Sequence, residues 1–229
     1  MSLSGTFMLF RVLLLFFVFF LQTVVLSAES SSGTLFFIGP ANFNQHLASL
    51  LKLPSGGCKS SSLTNTAKHY LLPEASELLD CGVIVISPMT AVSPLARPVL
   101  TQFVEQGGKL VWLYDSIRRT WDAGGGLGFE LTGFDGYLAS HHEPYDQKTA
   151  KKHRLAYASK KWGDTPLAPF ETVFCLFATD LIDAEAIIVD QDHPERALLC
   201  VSTQGKGNVF FCGTTSLFFP LIMSYCGIQ

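Results

Sequence analysis

Residues 81–116 read CGVIVISPMTAVSPLARPVLTQFVEQGGKLVWLYDS, two short apolar runs on either side of a longer amphipathic one. Residues 82–87 and 109–114 are hydrophobic almost without interruption, whereas half-exposed strands alternate. They suit strands covered on both faces, as in a parallel sheet. Residues 92–105 between them read as a crossover helix. Ser93 suits its cap, Pro94 its first turn, and Leu95, Val99, Leu100, Phe103 and Val104 an inward face. Pro98 either falls within the first turn, where a missing donor costs little, or moves the start downstream. Gly107-Gly108 ends the helix and permits a tight turn into Lys109. The unit is strand, helix, strand, with right-handed connectivity expected.

The pattern extends in both directions. Residues 34–38 read as a first strand ended by Gly39-Pro40. Residues 41–53 read as a helix that Asn42 and Asn44 weaken at its start and Pro54 stops. Residues 55–66, rich in Gly and Ser, read as loop around a poor second strand, and 71–79 as a short helix. Residues 122–128 cluster glycines without the spacing of a dinucleotide fingerprint, so they read as a turn. From residue 171 the spacing tightens: 173–177, 186–189, 197–201 and 208–212 read as strands, the last three joined by short polar links that favour antiparallel hairpins. Residues 216–225 read as a final apolar helix, capped by Thr214 or Thr215 and bent by Pro220.

Residues 1–28 stand apart. Arg11 precedes an apolar run over 12–21, and small and polar residues follow up to a cut after Ser27 or Ala28. This is the layout of a secretory signal peptide; the rival is an uncleaved signal anchor. Residues 29–229 then form a single luminal α/β domain. All six cysteines (Cys58, Cys81, Cys175, Cys200, Cys212 and Cys226) follow the signal. An oxidising compartment allows two, four or six of them to pair, and a disulfide is expected, although several sit in apolar runs that suit buried thiols. No paired CxxC spacing supports a zinc site. The formal net charge of −3 and the lack of a basic, aromatic-studded surface exclude nucleic acid as a partner.

Local chemistry is sparse. His141-His142-Glu143 and Asp146 form the most suggestive cluster, yet adjacent imidazoles diverge and HExxH is absent, so a hydrogen-bonding loop is expected. His153 and residues 190–193 read as polar turns in the same way. No G-x-S-x-G elbow is present, Ser87-Pro88-Met89 does not reproduce a cysteine elbow, and Cys81 precedes its strand. Asp115 ends a strand, where it serves as a helix cap or as a functional carboxylate. No cofactor and no metal are expected.

The phrases GTLFFIG, GVIVISPM, VLTQFVEQGGKLVWLYDS, GFELTGFD, HHEPYD and GKGNVFFCGTTSLFF occur in that order. Together they resemble the 48 kDa non-catalytic subunit family of the dolichyl-diphosphooligosaccharide-protein glycosyltransferase, in its amino-terminal luminal part. The resemblance implies an α/β fold with a three-layer, mostly parallel open sheet, glutamine-amidotransferase-like or flavodoxin-like, with later antiparallel strands. It implies a scaffold role in protein N-glycosylation in the endoplasmic-reticulum lumen, with no catalysis of its own, other oligosaccharyltransferase subunits as partners, and membrane association through them or through an uncleaved anchor. Gly107, Gly108, Asp115, His141, His142, Tyr145, Asp146 and Gly213 are then loop-shaping or contact residues. The chain ends without the further luminal region and membrane helix of that family, and it is read as shortened relative to it. Two alternatives stay open. A secreted α/β hydrolase or amidotransferase-like enzyme requires a nucleophile beside a base, and a soluble carbohydrate- or peptide-binding module requires an aromatic-lined groove.

Overall fold

The computed structural model describes residues 35–52, 58–61, 78, 81–88, 90–92, 96–114, 129–139, 151–172, 175–214 and 216–228. The chain divides into a unit of residues 1–32 and a unit of residues 33–229, and all described residues lie in the second. Its elements are β1 (Leu35–Ile38), α1 (Ala41–Leu50), β2 (Cys58–Ser61), β3 (Val83–Ile86), α2 (Arg97–Glu105), β4 (Lys109–Leu113), α3 (Phe129–Thr132), β5 (Phe134–Ala139) and β6 (Lys151–His153). There follow β7 (Leu155–Tyr157), β8 (Phe170–Thr172), β9 (Leu176–Leu181), β10 (Ala184–Asp190), β11 (Ala197–Gln204), β12 (Gly207–Cys212) and α4 (Phe219–Tyr225).

The apolar runs at β3 and β4 become central strands because both of their faces are covered. Ile84, Ile86, Leu110 and Trp112 enter one core, and Val83, Val85, Val111 and Leu113 enter the other. Phe103 and Leu100 of α2 cover the first face, and Leu47 of α1 with Phe219, Ile222 and Met223 of α4 covers the second. The helix between β3 and β4 starts at Arg97 with Pro98 in its first turn, so the proline moves the start downstream. Pro220 acts alike: it opens α4 at its first turn and does not bend it, and the N-cap position is Phe218 with no side-chain cap. The expected helix over 71–79 lies outside the described residues except for buried Leu78.

The expectation of a mostly parallel, flavodoxin-like or glutamine-amidotransferase-like sheet is corrected. The sheet is mixed and has ten strands, with a path β2-β1-β3-β4-β12-β11-β10-β7 and with β9 and β5 branching from β11. Four of its strand pairings are parallel and five are antiparallel. The parallel half ends where β12 pairs with β4, Phe210 opposite Val111, and from there the antiparallel half extends. Lys109 ties the seam to the last helix by donating from Nζ to the Cys226 carbonyl at 2.7 Å, satisfying a carbonyl at the end of α4. β6 and β8 pair separately as a two-stranded ribbon.

The expected disulfide is corrected as well. No disulfide joins the described cysteines, and among the described residues no helix is long and apolar enough to cross a membrane. The geometry follows from the pleat: Cys200 points into one core, while Cys212 and Cys226 belong to the opposite one. Burial raises the pKa of the Cys200 and Cys212 thiols and pushes Cys226 up to about 12, with Lys109 opposing the rise at Cys226. These thiols stay neutral in the fold and ionise near pH 9.0 once unfolded. Their contribution to stability is therefore complete below about pH 9 and is lost as pH rises towards the folded values, by about 1.4 kcal/mol per thiol per pH unit. Urea midpoints measured near pH 8 and near pH 10 should show the fall, and Cys226→Ala should reduce it; an unchanged difference would refute the assignment.

Candidate functional site

Open sheets commonly bind ligands beyond the carboxyl ends of parallel strands where the strand order reverses, here between β1 and β3. That position is filled. Ser87 at the end of β3 donates from Oγ to Asn44 Oδ1 at 2.5 Å, and Asn44 Nδ2 donates to the Gly39 carbonyl at 3.1 Å. Thr90 is buried beside them, and a Cβ at Gly39 would meet Thr90 Oγ1 at 2.5 Å. The polar groups satisfy one another and bring two strand ends and α1 into register.

A cavity of about 640 Å³ opens at the antiparallel half instead. Alternation along β11 and β12 sends Val201, Thr203, Asn208 and Phe210 to one face of the sheet, where Asp183 and Glu185 at the start of β10 continue the wall. Trp162, from the turn after β7, and Tyr225, from α4, close the other side with rings 5.4 Å apart, edge to face. The aromatic wall is fixed by hydrogen bonds: Tyr225 OH donates to the Trp162 carbonyl at 2.9 Å, and Trp162 Nε1 donates to Glu185 Oε1 at 2.9 Å. Lys161 donates to Glu185 Oε2 at 2.7 Å and lies 4.5 Å from the Trp162 ring centroid. The Lys161 hydrogen bond is the largest influence on Glu185 and holds its pKa below the ordinary carboxylate value, reinforced by Trp162. Asn208 Nδ2 donates to Thr203 Oγ1 at 3.2 Å on the floor.

A second constellation lies elsewhere on the same half. His153 on β6 has Nδ1 3.0 Å from Asp190 Oδ2 and Nε2 4.0 Å from Cys175 Sγ. Asp190 is buried, Cys175 has no exposed surface, and the His153 side chain retains 12% of its own. The sequence reading took His153 and residues 190–193 for ordinary polar turns. The structure instead brings a β6 histidine against the last residue of β10.

Of the residues singled out from the sequence, Asp115, His141, His142, Tyr145 and Asp146 lie outside the described residues. Gly107 adopts φ +114° and turns α2 towards β4. At Gly108 a Cβ would strike the Phe103 ring, and at Gly213 it would strike the Leu176 carbonyl oxygen. None of the three glycines lines the cavity, although the Gly108 carbonyl accepts from the backbone N–H of Asn208 on its floor and the Gly213 carbonyl from that of Leu176, next to Cys175. Trp162 and Tyr225, on the cavity wall, were not singled out at all; the aromatic content was their one sequence signal. Among the described residues no group of three or more His, Cys, Asp and Glu side chains is arranged to hold a metal ion.

No protein-family model and no curated protein matches this sequence. Solved structures share its fold. A cytoplasmic protein from Salmonella typhimurium superimposes with a TM-score of 0.54 at 13% identity, over 84% of this chain and 97% of that one. Gan42B, a GH42 β-galactosidase from G. stearothermophilus, gives 0.53 at 14% identity, over 86% of this chain and 30% of that one. The β-galactosidase from Bacillus circulans sp. alkalophilus gives 0.51 at 14% identity, over 86% and 32%. The chain thus spans about a third of the galactosidases it matches.

These findings overturn the oligosaccharyltransferase reading. The ordered phrases of that resemblance are not recognised by any family model, and the large mixed sheet is one found within glycoside hydrolase chains. With the resemblance go the accessory-subunit function and the expectation of a chain without chemistry of its own. Strand, helix, Gly-Gly, strand wording is what packing demands of any such unit, so it recurs across folds of different function.

Proposed function

We propose that the chain is a carbohydrate-binding module that takes a neutral saccharide in the cavity beside Trp162 and Tyr225. The observation that carries this reading is the fixed edge-to-face aromatic pair standing over hydroxyl and amide side chains in one concave site. Sugar rings present apolar C–H faces to an aromatic surface and hydroxyls to Thr, Asn and Gln partners, and a few placed polar groups in an aromatic pocket supply that combination. Neutral ligands are favoured over anionic ones because Lys161 and Glu185 neutralise each other at the rim and Asp183 adds a further carboxylate to the wall. Glycoside hydrolysis needs a carboxylic acid whose pKa is raised to donate a proton. Glu185 is shifted the other way, so it serves as an acceptor for sugar hydroxyls. The likeness to galactosidases supports a fold suited to glycan-acting proteins and leaves the ligand to be measured. The leader-like layout of residues 1–28 supports delivery of the proposed module to the secretory lumen, where glycans are abundant.

The test is a tryptophan-fluorescence and calorimetric titration of the secreted chain with neutral disaccharides, lactose and mannobiose among them, beside sialyllactose as a charged comparison. Saturable binding of a neutral sugar is expected, weakened about tenfold by Trp162→Ala, or ~1.4 kcal/mol. No saturable binding up to about 10 mM, a ceiling of ~2.7 kcal/mol, would overturn the reading.

A further inference from the structure

The constellation of His153, Cys175 and Asp190 has the internal order of a nucleophile, a base and a group that orients the base. Both oxygens of the Asp190 carboxylate are engaged: Oδ1 accepts the Asp192 backbone N–H at 2.9 Å, and Oδ2 faces His153 Nδ1 at 3.0 Å. An ionised carboxylate only accepts, so Nδ1 is the nitrogen that carries hydrogen. In the neutral ring the Nε2 lone pair is then left facing Cys175 Sγ, 4.0 Å away, within reach of a thiol hydrogen bond. The Phe177 ring, 5.2 Å from the imidazole, limits how far the ring can swing. Three different strand ends converge on this arrangement: His153 closes β6, Cys175 precedes β9, and Asp190 closes β10. The alternative enzyme class considered from the sequence required a cysteine or serine beside a histidine, and this is the place where the fold supplies one.

We propose that Cys175, His153 and Asp190 form a thiol acyl-transfer site, with Cys175 as nucleophile, His153 as base and Asp190 as its positioning residue. The Cys175 thiol proton passes to His153 Nε2 as Sγ attacks the carbonyl carbon of an ester or thioester, forming an S–C bond. The tetrahedral adduct collapses, the bond from carbon to the leaving oxygen or sulfur breaks, and the imidazolium returns its proton to that leaving group. Water, deprotonated by the same imidazole, then attacks the acyl-cysteine, releases the carboxylic acid and regenerates the thiol. Cys175 and Phe177 belong to the apolar core and only the imidazole reaches the surface, so acyl transfer requires local opening around Cys175, and a small, uncharged acyl group demands the least of it. None of the three residues lines the saccharide cavity, and the two proposals stand or fall separately.

The experiment treats the folded full chain with p-nitrophenyl acetate from about pH 5 to about pH 9, follows p-nitrophenolate release, and maps acetylated cysteines by mass spectrometry. Cys200, buried among apolar groups, is the internal reference. Acetylation is expected on Cys175 in preference to Cys200, with a pH profile governed by an imidazole. His153→Gln should slow it at least 10²-fold, Asp190→Asn should slow it less, and Cys175→Ala should abolish it. Equal labelling of Cys175 and Cys200, or an unchanged rate in a folded His153→Gln protein, overturns the proposal. Near-ultraviolet circular dichroism establishes folding of each variant, and if His153→Gln does not fold, the comparison of Cys175 with Cys200 in the unaltered chain decides alone.

Discussion

Gly213→Ala is expected to destabilise the protein by about 3 kcal/mol or more, at the upper end of what overpacking costs. A Cβ there has no room: it would collide with the carbonyl oxygen of Leu176, and a backbone atom cannot rotate aside as a side chain end does. The two residues are locked in place, since Leu176 N donates to the Gly213 carbonyl at 3.0 Å and Gly213 N donates to the Leu198 carbonyl at 2.8 Å. Relief of the clash therefore requires displacing the start of β9 from the end of β12. For a domain of this size the loss corresponds to a fall in Tm of about 6–12 °C, measurable by calorimetry. A variant that melts within about 2 °C of the wild type would show that the approach of the two backbones is not a fixed feature of the fold.

The second large effect is a contrast at one position. Trp112 is fully buried on β4, and its indole Nε1 has no hydrogen-bond partner among the described residues. Trp112→Ala should cost about 3–5 kcal/mol, because it removes the largest side chain from a core shared with Phe103, Phe134 and Phe211. Trp112→Phe should stay within about 1 kcal/mol of the wild type, since relief of a buried unpaired N–H, worth roughly 1–3 kcal/mol, offsets the lost contacts. Urea unfolding of both variants supplies the comparison. A phenylalanine variant as unstable as the alanine one would mean that the indole N–H is satisfied after all.

What the sequence disclosed follows from where its information is local. β1, β3, β4, β10, β11 and β12 could be read because strands buried on both faces must be apolar over consecutive residues. β6 and β8 could not: Lys151-Lys152-His153 and Phe170-Glu171-Thr172 have no apolar run and pair with each other outside the main sheet. β5 carries a glycine at its centre and owes its strand state to β9, whose antiparallel register it follows from Phe134 to Ala139. The antiparallel half rests on β10, β11 and β12, whose hairpins the sequence did indicate, and the unread β5 and β7 extend it. The site was less legible for the same reason. Tyr225 and Trp162 are 63 residues apart and His153 and Asp190 are 37 apart, so no short motif contains either pair. Adjacent histidines occur at His141-His142, but proximity in sequence is no measure of what the fold assembles.

The β4–β12 seam has a consequence for synthesis. Residues 109–113 wait for residues 208–212 before their second edge is occupied. At ribosomal rates of about 5–20 residues per second, that leaves the edge of β4 without its partner for roughly 5–20 s. During that interval Leu110, Val111, Trp112 and Leu113 form the rim of an unfinished sheet, the kind of surface on which chains aggregate. The nascent chain is thus expected to depend on chaperones until its last strand emerges, and a chain cut short before residue 208 should be degraded or aggregate although β1 to β4 are already complete in sequence.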